Sequence, residues 1–168
     1  MITYTGGSFD LFHIGHLELL EACRDLAGIE GRVVVSLNTD AFIETYKGKP
    51  PVQPYTVRAE MLWACRYVDM VVANVGGADS RVAIDVVHPD VLVIGDDWLD
   101  PGRDERRYHA QLGVDPDWLK ARGLNIVYVP RTRGTSTSDI RELIAARGFD
   151  YEEQPSGYRI ENGRVVRT

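Results

Sequence analysis

Two apolar runs, Val33-Val34-Val35 and Val91-Leu92-Val93-Ile94, constrain the fold of this chain more than any other feature. Strands with no polar face are covered on both sides, as in a parallel sheet flanked by helices. Ile2 to Thr5 reads as a first strand entering the Gly6-Gly7 turn. Val33 to Leu37, Met70 to Val75, Val91 to Ile94 and Asn125 to Val129 follow as four more. Helical periodicity separates them. From Ile14, residues Leu17, Leu20, Cys23 and Ala27 share one face. Further helices are expected from Thr56 to about Tyr67, from Ser80 to Val87 and from about Thr137 to Arg147. The charged stretch from Asp100 to Gly123 is expected to hold two short helices, and Asn38 to Tyr55, with Gly48, Pro50, Pro51 and Pro54, reads as a long loop. Strands alternating with helices define an α/β class: a Rossmann-like, doubly wound, five-stranded parallel sheet. Near the end, Tyr158 to Glu161 and Arg164 to Val166 flank Asn162-Gly163, a two-residue turn signal that predicts a small C-terminal hairpin. The expected organisation is one domain over 1–148 and an extension over 149–168.

The length, 168 residues, suits one domain, and 44% hydrophobic residues can build its core. The apolar runs are only a few residues long, so no membrane span is expected. Met1-Ile2-Thr3-Tyr4-Thr5 lacks the basic and apolar regions of a signal peptide. Cys23 and Cys65 fall in helical patterns with no metal knuckle nearby. A cytoplasmic location is the expectation. The net charge of −6 argues against nucleic acid as a partner. Local charge differs from the average, however. The chain has three lysines, and Lys47 and Lys49 stand together in the Gly/Pro-rich stretch, while Arg131 and Arg133 adjoin a Ser/Thr run. A few converging cations suit a small polyanion.

Three constellations carry chemistry. In Gly6-Gly7-Ser8-Phe9-Asp10-Leu11-Phe12-His13-Ile14-Gly15-His16 a flexible turn leads from the first strand to a helix start. His13 and His16, three residues apart, share a helical face. Free backbone N–H groups and the helix dipole favour an anion there, and two imidazoles add donors for phosphate oxygens. Gly15 leaves room for a base or ribose. A zinc site would need two more ligands, and His88 and His109 lie in unrelated segments. The second constellation is Arg131-Thr132-Arg133-Gly134-Thr135-Ser136-Thr137-Ser138. Its arginines, the Ser136 and Thr137 hydroxyls and a helix start suit β- and γ-phosphates. The third is Gly95-Asp96-Asp97-Trp98, at a strand end where ligands of doubly wound sheets lie. Either aspartate could accept from an exocyclic amino group, with Asp97 preferred, and Trp98 could stack on the base or wall the pocket.

Gly7-Ser8-Phe9-Asp10-Leu11-Phe12-His13-Ile14-Gly15-His16 resembles the signature of the cytidylyltransferase-like nucleotidyltransferases, whose His-x-Gly-His element also occurs in class I aminoacyl-tRNA synthetases. Arg131 to Thr137 is similar to the Arg-Thr-x-Gly-x-Ser-Thr motif of the same family. Gly95 to Trp98 resembles the Gly-Asp-Asp-Trp of glycerol-3-phosphate cytidylyltransferases. Asn38-Thr39-Asp40, Lys47, Lys49, Tyr55 with Arg58, and Arg66-Tyr67-Val68-Asp69 extend the likeness from about Ile2 to Ala146. There are departures: Gly6-Gly7-Ser8 replaces Tyr-Gly-Thr, and the Leu99 to Gly123 segment is longer.

The resemblance implies a catalytic set of His13, His16, Lys47 and Arg131, with the histidines stabilising the α-phosphate transition state. It implies nucleotide contacts from Gly7, Ser8, Phe9, Asp10, Gly15, Lys49, Asp97, Trp98, Thr132, Ser136 and Thr137, and acceptor contacts from Arg58 and Arg66. It also implies CTP and a small phosphorylated acceptor such as glycerol 3-phosphate as substrates, Mg²⁺ carried by the triphosphate, and a homodimer. The residues that would hold a metal are not assigned. Two alternatives stay open. One is an adenylyltransferase using ATP with a sugar phosphate or FMN, and the other is a nucleotide-binding module without turnover. A class I synthetase fragment would need an anticodon-binding region and a Lys-rich second motif, and neither is present in these residues.

Overall fold

A computed structural model describes residues 1–77, 79–96, 114–130 and 136–147, and the backbone of 158–161 and 164–167. The chain divides into two compact units, Met1–Thr137 and Ser138–Thr168.

The first unit is built on five parallel strands: β1 (Ile2–Gly7), β2 (Arg32–Asn38), β3 (Met70–Asn74), β4 (Val91–Gly95) and β5 (Asn125–Val129). Their order is β3-β2-β1-β4-β5. The chain therefore winds outward from β1 in one direction, then returns to β1 and winds outward in the other. The reversal opens a crevice between the carboxyl ends of β1 and β4, the standard ligand position in such sheets. Register places Tyr4 beside both Val34 and Leu92.

Helices cover both faces: α1 (Ile14–Ala27), α2 (Asp40–Lys47), α3 (Tyr55–Trp63), α4 (Arg81–Val87) and α5 (Pro116–Ala121). Leu20 of α1 and Leu62 of α3 are fully buried against Val35, Leu37 and Phe9. On the same side Cys23 and Ala27 pack on Val33, Val91 and Val93. The opposite face carries Tyr4 and Leu92, covered by Ile84 of α4 and by Trp118 and Leu119 of α5. Truncating a side chain as enclosed as Leu20 to alanine costs about 2–5 kcal/mol, a large share of any domain's stability. Asn74 joins the ends of β2 and β3, donating from Nδ2 to Asn38 Oδ1 and Ser80 Oγ at 2.9 Å each.

The five strands and their parallel arrangement agree with the sequence reading. Two local expectations need correction. The stretch read as a loop from Asn38 begins with a helix, α2: Thr39 caps it by accepting from the Phe42 N–H at 3.2 Å, and Gly48 ends it in the left-handed region at φ 68. Burial of Phe42 and Ile43 makes those two turns worth forming. The helix expected from Thr56 starts one residue earlier, with Pro54 in the cap position, and ends at Trp63. Between 100 and 123, α5 is the one helix among the described residues.

The second unit contains the rest of α6 (Thr137–Arg147) and an antiparallel pair, β6 (Tyr158–Glu161) with β7 (Arg164–Arg167). This is the hairpin that Asn162-Gly163 predicts.

Candidate active site

β1 passes through Gly7 into a tight loop before α1. A Cβ on Gly7 would stand 3.2 Å from the Phe9 ring, so glycine lets Phe9 fold back beneath the turn. Phe9 and Leu11 both lie in the left-handed region, at φ 46 and 48. That conformation is unfavourable for residues with side chains and persists only where surrounding contacts hold it.

His13 is the N-cap residue of α1, and His16 occupies its first turn. Their rings stack, with centroids 3.8 Å apart and planes at 23°. The His13 backbone N–H donates to His16 Nδ1 at 3.4 Å. With Nδ1 accepting, a neutral His16 holds its proton on Nε2. Phe9 and Phe12 flank this ring at centroid distances of 5.0 and 5.6 Å. Burial is the main cause that pushes the His16 pKa from 6.5 down to about 3. His13 and Lys47 push the same way, while Asp10 opposes them. His16 is therefore a neutral N–H donor at physiological pH. The first turn of α1 contains no acidic residue, so its backbone N–H groups meet no competing carboxylate from their own turn.

Lys47, in the last turn of α2, donates from Nζ to Ser8 Oγ at 3.2 Å, and that hydroxyl also lies 3.0 Å from the Tyr46 hydroxyl. The α2 helix thus delivers an exposed ammonium to the histidine loop. Lys49 is exposed just beyond Gly48, and Gly15 sits in the first turn of α1. Ser136 is half-buried, and Thr137 Oγ1 donates to the Asp10 carbonyl at 2.7 Å. Asp97, Trp98, Arg131 and Thr132 lie outside the described residues.

Three expected ligand contacts have other partners in this structure. The Asp10 carboxylate is buried and accepts the backbone N–H groups of Val52 and Gln53, each at 2.9 Å. Arg58 is 0% exposed, with its guanidinium on Ser8, Asn38, Gln53 and Asp40. Arg66 is exposed beside Tyr67, whose hydroxyl accepts from Arg66 and donates to Glu21, each at 2.6 Å. Glu21 lies eight residues along α1 from His13, a rise of about 12 Å, and Arg66 precedes the amino end of β3. Within one chain, then, Arg66 is not gathered with the histidines.

Sequence reasoning passed over Tyr46, Gln53 and the carboxylate of Asp40. Tyr46 could have been found, since a helix ending at Gly48 places it beside Lys47. Gln53 carries no local signal at all.

A first strand delivering paired histidines to a helix start, beside a topological switch point, defines a nucleotide-handling α/β domain. The family model described as cytidylyltransferase-like matches residues 4–143, and the chain belongs to that family. It is 37% identical over 145 residues to the glycerol-3-phosphate cytidylyltransferase of Bacillus subtilis (strain 168), covering 86% of this chain and 96% of that one. It is also 32% identical over 139 residues to the FAD synthase of Pyrococcus horikoshii, covering 83% and 88%. Among solved structures, the lipopolysaccharide core biosynthesis protein of Thermoplasma volcanium shares the fold, with a TM-score of 0.57 at 22% identity over 79% of this chain and 96% of that one.

Proposed function

We propose that this chain transfers a cytidylyl group from CTP to a small phosphorylated acceptor, glycerol 3-phosphate or a close analogue, and releases pyrophosphate. The observation that carries the reading is the stacked His13–His16 pair at the start of α1 with Lys47 brought against the same loop. An acceptor phosphate oxygen attacks the α-phosphorus in line, and the bond to the bridging oxygen of the β-phosphate breaks. No covalent enzyme intermediate forms. His16 donates from Nε2 to charge growing on an α-phosphate oxygen, with His13 beside it. Lys47, Lys49, Arg131 and the hydroxyls of Ser136 and Thr137 hold the triphosphate. Catalysis is then positioning plus preorganised electrostatics.

Mg²⁺ accompanying the triphosphate would neutralise charge on its β- and γ-oxygens. Among the described residues no group of three or more His, Cys, Asp or Glu side chains could hold a metal. No helix among them is long and apolar enough to cross a membrane. A homodimer belongs to the same proposal: Val57 and Met61, one turn apart on α3, and Trp63 leave apolar surface exposed. Size-exclusion chromatography with light scattering tests it.

Adenylyl transfer to FMN is the second reading, favoured by the similarity to an FAD synthase. One experiment separates the two. The chain is incubated with each nucleoside triphosphate and a panel of acceptors including glycerol 3-phosphate, sugar phosphates and FMN, and pyrophosphate is recorded. Release with CTP and glycerol 3-phosphate supports the first reading. Release with ATP and FMN replaces it with the second, and silence across the panel leaves a binding module.

A further inference from the structure

Four of the five N–H donors of Arg58 meet acceptors that converge from three segments. Nε donates to the Gln53 carbonyl at 2.9 Å, Nη1 to the Ser8 carbonyl, and Nη2 to the Asn38 carbonyl at 2.9 Å and Asp40 Oδ1 at 2.6 Å. The contacts on either side of Phe9 continue this pattern. Asp10 accepts from Val52 and Gln53, while the Leu11 N–H donates to Gln53 Oε1 at 3.1 Å. Ser8, Asp10 and Leu11 are thus all tied to the 50–54 segment or to Arg58. They bracket Phe9, which with Leu11 holds an unfavourable positive φ.

We infer that Arg58 is a positioning residue: with Asp10 and Gln53 it clasps the loop that leads into α1, and so fixes where His13 and His16 stand. Two features separate this role from direct contact with an acceptor phosphate. The side chain is fully enclosed, and its donors point at backbone carbonyls that a phosphate would have to displace. The second is that four of its donors already have partners from three segments, so the guanidinium is committed to the fold before any ligand arrives. If the clasp loosens, Phe9 shifts, and Phe9 is one of the three rings packed against His16.

The effect on turnover rests on the nucleotidyl-transfer reading, whereas the effect on His16 does not. Arg58→Lys in the full chain is therefore read in two ways. Pyrophosphate release yields kcat and KM, and imidazole ¹⁵N shifts at pH 5 report the charge state of His16, whose ionisable neighbours are His13, Asp10 and Lys47. A displacement of reacting groups by about 1 Å can cost about 100-fold. The expected result is a fall in kcat of about 10- to 100-fold with KM for CTP within about threefold, together with a protonated fraction of His16 that the unmodified chain lacks. A purely structural residue would lower the melting temperature and leave the folded protein's imidazole shifts alone. Gln53→Ala, in a half-buried loop position, should move both readouts the same way by less, and it carries the test if Arg58→Lys does not fold. Unchanged imidazole shifts with unchanged kcat overturn the clasp. So does a loss expressed in KM for the acceptor, which would return Arg58 to substrate contact. If the unmodified chain releases no pyrophosphate with any substrate, the nucleotidyl-transfer reading fails alone, and the imidazole shifts still decide the clasp.

Discussion

The imidazole of His16 stacks on the ring of His13 with centroids 3.8 Å apart and lies 5.0 Å from that of Phe9, while its Nδ1 accepts the His13 backbone N–H. One nitrogen is thereby committed to the loop, and Nε2 is left to donate. A donor fixed in this way needs no reorganisation when charge develops on a phosphate oxygen, which is the condition for strong transition-state stabilisation.

His16→Ala should therefore lower kcat by about 10²–10³, or roughly 3–4 kcal/mol, as does loss of one oxyanion donor. KM for CTP should change far less, because the proposed mechanism assigns the triphosphate to other groups. Steady-state pyrophosphate release checks the split. A folded variant with near-normal kcat would take His16 out of the mechanism.

Acid sensitivity follows from the same ring. Its pKa is about 3 in the folded chain and 6.5 when unperturbed. Between those values the unfolded state binds a proton that the folded state does not, so folding stability rises with pH through this window and falls as pH drops below about 6.5. The slope from this one group is at most ~1.4 kcal/mol per pH unit, less any solvent screening. Urea unfolding at pH 4.5 and 6.5, compared between the unmodified chain and His16→Phe, isolates it. The variant should lose part of the pH dependence.

Lys47 is an exposed cation held against this loop, with Nζ 3.2 Å from Ser8 Oγ. Lys47→Met should raise KM for CTP by about tenfold or more, the scale of one charge-assisted contact to phosphate. Stability should move by no more than ~0.5 kcal/mol, as for a surface substitution. Because Lys47 depresses the His16 pKa, the variant should also titrate His16 at higher pH, which NMR can follow.

In the proposed reaction, base choice would fall to Asp97 and Trp98, the pair singled out by sequence. Cytosine and adenine both offer an exocyclic amino group, so ring size has to separate them. CTP should be preferred over ATP by at least ~10²-fold in kcat/KM, a gap of about 2.7 kcal/mol. Asp97→Asn should erode that preference while triphosphate binding barely changes. Competition assays with both nucleotides measure the ratio. Equal turnover with ATP would promote the adenylyl reading.

Much of this architecture was legible in residue order. Val33 to Val35 and Val91 to Ile94 announce strands buried on two faces because no polar side chain interrupts them. Gly6-Gly7 before His13 and His16 announces a strand, a turn and a helix start. These are local signals, read within a few residues. The α2 helix was missed although Thr39, Asp40 and Gly48 are ordinary cap residues, because Pro50, Pro51 and Pro54 dominate the stretch and only the burial of Phe42 and Ile43 sustains two turns.

Arg58 shows where residue order ends. From sequence it is a cation on a helix near a presumed phosphate site. Tertiary structure turns it inward onto carbonyls of Ser8 and Asn38, 50 and 20 residues away. Arg66 went the other way, to the amino-terminal side of β3, where Tyr67 and Glu21 meet it. The sequence alone determined the strands, their parallel packing and the histidine pair, since periodicity and glycine turns act over short range. Only the tertiary structure decided where Arg58 and Arg66 turn, because a guanidinium is satisfied as well by backbone carbonyls as by phosphate, and carbonyls are present at every residue.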